Sequence, residues 1–269
     1  MELGLRGQSA LITGGASGIG LGIATVLAGE GMNLAIASRS PDPEAIATLR
    51  RLGTRIEAIT ADVSGEDQAV AMVNRAVECF GGLDCYINNA AWAWHEPVTR
   101  VTSKAWHDTL NTNLSAAMWA CRTAARHMVQ RRAGSIVLIS STAKLTAGFG
   151  EVAYRVSKLG LNALMQSLCV ELAPHGIRVN MVTPGHFVTR LTGWDRLDRG
   201  RVEQFRDRYI PLQRYGEVEQ IGAAVALLVS DRVSGYTTGA DIVVDGGLQH
   251  AMIKVAGDDE IRALNTPEA

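Results

Sequence analysis

Short apolar runs alternate along the chain with longer stretches in which apolar residues recur every three or four positions. The apolar runs predict strands at Ser9–Thr13, Asn33–Ser38, Arg55–Thr60, Cys85–Asn88, Ser135–Ser140, Arg178–Val182 and Asp241–Val244. The amphipathic stretches predict helices near Ile19–Glu30, Pro43–Leu52, Gln68–Phe80, Lys104–Gln130 and Val152–Ala173. Strand–helix alternation at this spacing implies parallel strands joined by right-handed crossovers, with helices on both faces. No repeat, low-complexity tract or Pro/Gly/Ser-rich linker divides the chain, so residues 1–250 read as one doubly wound α/β domain with a seven-stranded sheet.

Two regions break this rhythm. His186 to Tyr215 is too long for an ordinary loop, and long ordered insertions in compact domains are usually lids or binding loops. It carries Arg190, Arg196, Arg199, Arg201, Arg206, Arg208 and Arg214, interleaved with Asp195, Asp198, Glu203 and Asp207. Such mixed charge reads as a solvated helix face. The tail 251–269 follows the last strand and either stays unstructured or docks on a neighbouring subunit.

Composition narrows the function classes. At 269 residues, with 47% hydrophobic and 20% charged residues, the chain has the make-up of a soluble globular protein with a substantial core. A net charge of −1 gives no electrostatic reason to expect nucleic acid or an anionic membrane as partner. The apolar runs are too short to cross a bilayer, and the start, MELGLRGQSALITGG, lacks the ordered regions of a signal peptide. Cys79, Cys85, Cys121 and Cys169 show no metal-type spacing and read as free thiols in a reducing cytoplasm.

Candidate chemistry lies in the run ISSTAKLTAGFGEVAYRVSK. Tyr154 and Lys158 are four residues apart and share a helix face, and Ser141 precedes them just after an apolar run. A free tyrosine loses its proton near pH 10, and a nearby cation is expected to lower that value, so the trio suits proton transfer to or from an oxygen. Directly after the first strand, Thr13-Gly14-Gly15-Ala16-Ser17-Gly18-Ile19-Gly20 opens a helix. Glycines there let backbone N–H groups approach a diphosphate, and the helix N-terminus adds partial positive charge. The tip of the second strand reads Ala37-Ser38-Arg39-Ser40, with no acid. NAD sites usually place an acidic residue there for the ribose 2′-hydroxyl, whereas Arg39 with Ser38 and Ser40 suits the 2′-phosphate of NADP. Arg39 stacked on adenine would instead serve either nucleotide.

These residues, from about Leu5 to Leu248, resemble the short-chain dehydrogenase/reductase family. Its motifs stand in order: TGGASGIG at Thr13–Gly20, Asp62-Val63, Asn88-Asn89-Ala90-Ala91, Asn113, Ser141, Tyr154 with Lys158, Pro184-Gly185, Thr189 and Asp245-Gly246-Gly247. The resemblance implies a Rossmann-type fold and an NADP(H)-dependent enzyme, with NAD the lesser alternative, that interconverts a ketone and a secondary alcohol. Tyr154 would be the acid/base. Lys158 would lower its pKa and bind the nicotinamide ribose, Ser141 would hold the substrate oxygen, and Asn113 would anchor a water in a proton relay. Gly14, Ser17, Gly18, Ile19 and Gly20 would cradle the diphosphate. Asp62 and Val63 would flank the adenine, with Asn89, Ala90 and Ala91 along the cofactor. Val188 and Thr189, after Pro184-Gly185, would meet the carboxamide and phosphates. No metal site is implied.

Three positions depart from the family pattern. Ala91 replaces a usual glycine, Lys144 replaces a common glycine after the serine and could bring a cation to the pocket rim, and Arg155 follows the tyrosine where small residues are frequent. Trp92, Trp94, His95, Phe149, His186, Phe187, Leu191 and Trp194 are the candidate pocket residues, with an acyl thioester, a sugar acid and a cyclic ketone all open as substrates. The alternatives of a redox-neutral enzyme on the same scaffold, or a nucleotide-binding protein without chemistry, also stay open. The resemblance further implies a homotetramer or homodimer built through Lys104–Gln130, Val152–Ala173 and the last strand.

Overall fold

Each apolar run forms a strand: β1 (Ser9–Thr13), β2 (Asn33–Ser38), β3 (Ile56–Thr60), β4 (Cys85–Asn88), β5 (Gly134–Ile139), β6 (Ile177–Pro184) and β7 (Asp241–Val244). The computed structural model describes residues 2–189 and 198–251. The expectations placed on Arg190, Leu191, Trp194, Asp195, Arg196 and the chain beyond Ala251 lie outside the described residues. All seven strands pair in parallel in the order β3-β2-β1-β4-β5-β6-β7. β6 runs two residues past its predicted end because Thr183 and Pro184 pair with Val243 and Val244.

The connecting helices are α1 (Gly18–Gly29), α2 (Pro43–Arg50), α3 (Glu66–Phe80), α4 (Ser103–Leu110), α5 (Ala116–Arg131), α6 (Val152–Leu172), α7 (Arg199–Tyr209), α8 (Val218–Val229) and the single turn α9 (Asp231–Ser234). Their ends follow local rules. Asp42 caps α2 by accepting from Glu44 N–H ahead of Pro43, and Glu217 with Gln220 forms a capping box on α8. The arginine-rich α7 buries no residue, as mixed charge predicts.

Strand side chains alternate between two apolar layers, as a sheet covered on both faces requires. Leu11, Tyr86, Ile136, Leu138, Val179 and Met181 pack under α3, α5 and α6. Ala10, Ile12, Ile36, Ile87, Val137 and Val182 pack under α1 and α8 on the other face. Burying one such Leu or Ile side chain contributes roughly 1.5–3 kcal/mol, so the two layers hold the sheet ends in fixed register.

One predicted element differs. The stretch Lys104–Gln130 is not a single α-helix: α4 and α5 are joined by a π-turn at Asn111–Ser115, where Ala116 N–H donates to Asn111 C=O, five residues back. The cause lies in Asn113, which is fully buried instead of facing solvent. Its Oδ1 accepts from Trp92 N–H (2.7 Å), and its Nδ2 donates to Trp92 C=O (2.9 Å) and Ser157 Oγ (3.0 Å). The wider turn carries this side chain inward to bonds that a straight helix face would not offer it. π-bulges of this kind recur at functional sites.

Candidate active site

The chain reverses its strand order between β1 and β4, and a cleft opens there at the C-terminal ends of the strands, the usual ligand position in doubly wound sheets. Its volume is about 1030 Å³. Gly14, Ser17, Gly18, Ile19, Gly20, Ser38, Arg39, Ser40, Asp62, Val63, Asn89, Ala90, Ala91, Ser141, Tyr154, Lys158, Pro184, Gly185 and Thr189 all line it. Asn113 and Val188 do not: Asn113 lies beneath the wall and Val188 is exposed.

The turn between β1 and α1 is built for close approach. Gly14 has φ +67°, and a Cβ on it would stand 3.0 Å from Asn89 Nδ2 and 3.2 Å from Ala90 Cα. A Cβ on Gly20 would collide with Gly14 C=O. Thr13 ties the turn to the end of β4, its Oγ1 accepting from Asn89 N–H (2.9 Å) and Ala90 N–H (3.0 Å). Asn89 Nδ2 donates to Thr13 C=O at 2.9 Å, so this side chain braces the turn. α1 carries no acid in its first turn, which leaves its N-terminal field open to an anion. A diphosphate fits this cradle of backbone donors and missing Cβ atoms.

At the tip of β2, the Arg39 guanidinium lies over the Trp92 ring, 5.9 Å from its centroid. Ser38 Oγ accepts from Ser40 N–H. Nearby Asp62 accepts from the N–H and hydroxyl of Ser64, which hold its carboxyl below its usual range, with the Arg39 charge acting the same way.

The wall that carries Ser141, Tyr154 and Lys158 forms where β5 ends and α6 begins. Ser141 opens a short 3₁₀ turn, Thr142–Lys144, and accepts from Ala143 N–H (3.2 Å). Arg155 braces that turn by donating to Ala143 C=O at 2.7 Å. The Ser141 hydroxyl interacts with the Tyr154 phenol, and Lys158 Nζ lies 5.5 Å from the Tyr154 ring centroid while donating to Ile139 C=O (3.0 Å). The expected lowering of the tyrosine is not what this geometry gives. Desolvation by the surrounding protein pushes the Tyr154 phenol up to about 12, outweighing the opposing pull of the Ser141 hydrogen bond. Burial likewise pushes Lys158 down to about 8. Tyr154 is therefore a protonated phenol at neutral pH, the form that can donate.

Two further expectations change. Lys144 does not reach the pocket rim: it is buried, and its Nζ donates to Asp241 (2.5 Å) and Asn162 (3.2 Å), where the carboxylate compensates its desolvation. Of the candidate pocket residues, Trp92, His95, His186 and Phe187 line the cleft, whereas Trp94 and Phe149 are exposed outside it. His186 packs its ring on Phe205 at 4.6 Å, and burial lowers its pKa.

Sequence reasoning gave no role to Thr13, Ser157 or Glu151. Ser157 links Asn113 to Tyr154 by donating to Tyr154 C=O (2.6 Å), and a small polar residue on the helix of Tyr154 and Lys158 was its only signal. Glu151 lines the cleft one helical turn before Tyr154, a spacing that was readable in the chain. Among the described residues, no group of three or more His, Cys, Asp or Glu could hold a metal ion, and no helix is long and apolar enough to cross a membrane.

The comparisons agree with this geometry. A family model described as enoyl-(acyl carrier protein) reductase matches residues 14–249. The chain is 35% identical over 244 residues to a 3-oxoacyl-(acyl-carrier-protein) reductase of Staphylococcus aureus, covering 90% of this chain and 98% of that one. It is also 35% identical over 248 residues to an L-rhamnose 1-dehydrogenase (NAD(P)(+)) of a Sphingomonas species, covering 91% and 97%. A crystal structure of 3-oxoacyl-(acyl-carrier protein) reductase from Brucella melitensis in complex with NAD superposes with a TM-score of 0.85 at 32% identity, over 91% of this chain and 98% of that one. With the seven-stranded parallel sheet, the glycine turn and the matched span in one chain, the protein belongs to the short-chain dehydrogenase/reductase family of oxidoreductases.

Proposed function

We propose that this oxidoreductase is a cytoplasmic, NADP(H)-dependent enzyme that interconverts a ketone and a secondary alcohol, with Tyr154 as acid/base. The observation that carries the reading is that Ser141, Tyr154 and Lys158 line one cleft with the glycine turn, with Lys158 Nζ 5.5 Å from the Tyr154 ring centroid. The nicotinamide, when bound, supplies or accepts the hydride at the reacting carbon. Gly14 to Gly20 would hold its diphosphate, Arg39 with Ser38 and Ser40 the 2′-phosphate, Asp62 and Val63 the adenosine, and Lys158 the nicotinamide ribose. Asn89, Ala90 and Ala91, with Pro184, Gly185, Val188 and Thr189, would flank the rest.

In the reducing direction, Ser141 donates a hydrogen bond to the substrate oxygen and Tyr154 transfers its proton to that oxygen as the C–O π bond opens. The resulting phenolate is stabilised by the Lys158 ammonium. Asn113, whose two N–H donors and one oxygen lone pair are engaged by Trp92 and Ser157, would anchor the relay water. The expected lid over the substrate would begin at His186, which lines the cleft. A homotetramer fits the exposed apolar side chains of the two long helices, among them Met118, Val156, Leu159 and Val170.

The test is consumption of NADPH with a panel of ketones across pH. Reduction needs a charged Lys158, and that charge is lost as pH rises through about 8. Tyr154 keeps its proton to about 12, so kcat/KM should be level through neutrality and fall above about 8. A profile that stays level far past that point would contradict the assignment of Lys158.

A further inference from the structure

The reaction just described leaves a carboxylate and its imidazole partner in the cleft without a task. Glu151 immediately precedes α6, three residues before Tyr154. Its Oε1 lies 3.4 Å from His95 Nε2, and both residues line the same cleft as Tyr154, with His186 alongside. The pair spans a seam between two chain segments, closed by Glu96 N–H donating to Gly150 C=O at 2.9 Å. The His95 hydrogen bond holds the Glu151 carboxyl below its usual range, so it is charged at neutral pH, and Glu151 raises His95 in turn.

As a stabilising ion pair this contact is weak, because the His95 side chain is 53% exposed. As a recognition group it is well placed. A carboxylate offers about four acceptor positions, and here His95 and the Gly148 backbone occupy only part of them. We propose, resting on the oxidoreductase reading, that Glu151, braced by His95, is a specificity residue for a neutral substrate with a hydroxyl next to the reacting carbon, such as a sugar or polyol.

The chemistry separates the substrate classes. A hydroxyl on the neighbouring carbon donates to Glu151 while the reacting oxygen meets Ser141 and Tyr154. A carboxylate or phosphate at that place would meet like charge. An alkyl chain offers no donor and would strip water from the carboxylate without compensation. His186, whose ring is kept neutral by burial, lines the same end of the cleft.

Matched probes isolate the hydroxyl: 1,2-cyclohexanediol against cyclohexanol, with D-sorbitol as polyol and an acetoacetyl thioester as acyl substrate, measured with the full-length enzyme and both nucleotides. The wild type should prefer the diol by about 10- to 100-fold in kcat/KM, the discrimination expected of one hydrogen bond to a charged group. In Glu151→Ala that preference should collapse to within about 3-fold, mainly through KM, with cyclohexanol turnover and nucleotide affinity retained. Gly148→Ala keeps the carboxylate but displaces it, because a Cβ there would collide with Glu151 Oε2, and should reduce the preference in the same sense. Equal rates on diol and cyclohexanol, preference for the thioester, or a diol preference unchanged in Glu151→Ala would each overturn the specificity role alone. Absence of turnover on every probe with either nucleotide would overturn the oxidoreductase reading beneath it.

Discussion

Replacing Tyr154 by Phe should lower kcat by about 10²- to 10⁴-fold, the range a positioned general acid contributes, while NADPH affinity stays within about 2-fold of wild type. The substitution is conservative in shape. The ring keeps its place beside Lys158, whose Nζ lies 5.5 Å from the centroid, and only the phenolic oxygen that bonds Ser141 is lost. Because Lys158 keeps its bond to Ile139 C=O, its hold on a nucleotide should survive. Steady-state kinetics with a ketone, beside fluorescence titration of NADPH, separates the two effects. A variant with near-normal kcat would remove Tyr154 from the mechanism. Loss of nucleotide binding would instead show that the phenol supports the cleft wall.

The second large effect concerns the nucleotide. Arg39→Asp should lower kcat/KM for NADPH by about 10²- to 10³-fold and leave NADH unchanged or improved. Hydrogen bonds to charged groups contribute roughly 1.5–3 kcal/mol each, and an aspartate at the tip of β2 replaces that attraction with repulsion of the 2′-phosphate. The same aspartate can accept from the 2′-hydroxyl of NAD. Trp92 would lose the guanidinium that covers its ring, which alters the cleft wall without touching the glycine turn. A wild-type preference for NADH, or an Arg39→Asp variant that still favours NADPH, would reverse the cofactor assignment.

Much of this architecture was legible in the chain because the sheet is covered on both faces. Its strands are short continuous apolar runs, and β1, β2, β4 and β7 begin and end where those runs do. The glycine turn was legible for a similar reason, since a backbone that must approach a diphosphate tolerates no Cβ at Gly14 or Gly20. What escaped were features set by tertiary contact. The π-turn at Asn111–Ser115 carries no propensity signal; it follows from Asn113 bonding to Trp92, 21 residues earlier. Lys144 looked like a rim cation because its partner Asp241 is 97 residues away, in β7. Tyr154 looked easily ionised because a neighbouring lysine is visible in sequence and desolvation is not. Glu151 shows the converse, since its spacing from Tyr154 was readable but its pairing with His95 needed two loops to meet.

The central claim is that this protein moves a hydride between a nicotinamide and a substrate carbon while Tyr154 moves the proton. The measurement that tests it most directly uses NADPH deuterated at its transferable position, with product analysed by mass spectrometry and NMR beside the wild-type and Tyr154→Phe enzymes. Wild type should place one deuterium on the carbinol carbon of each alcohol formed, in one-to-one ratio with NADPH consumed, and Tyr154→Phe should form little product. Product without label, or conversion of substrate without consumption of the nucleotide, would contradict the claim and point to redox-neutral chemistry on the same scaffold.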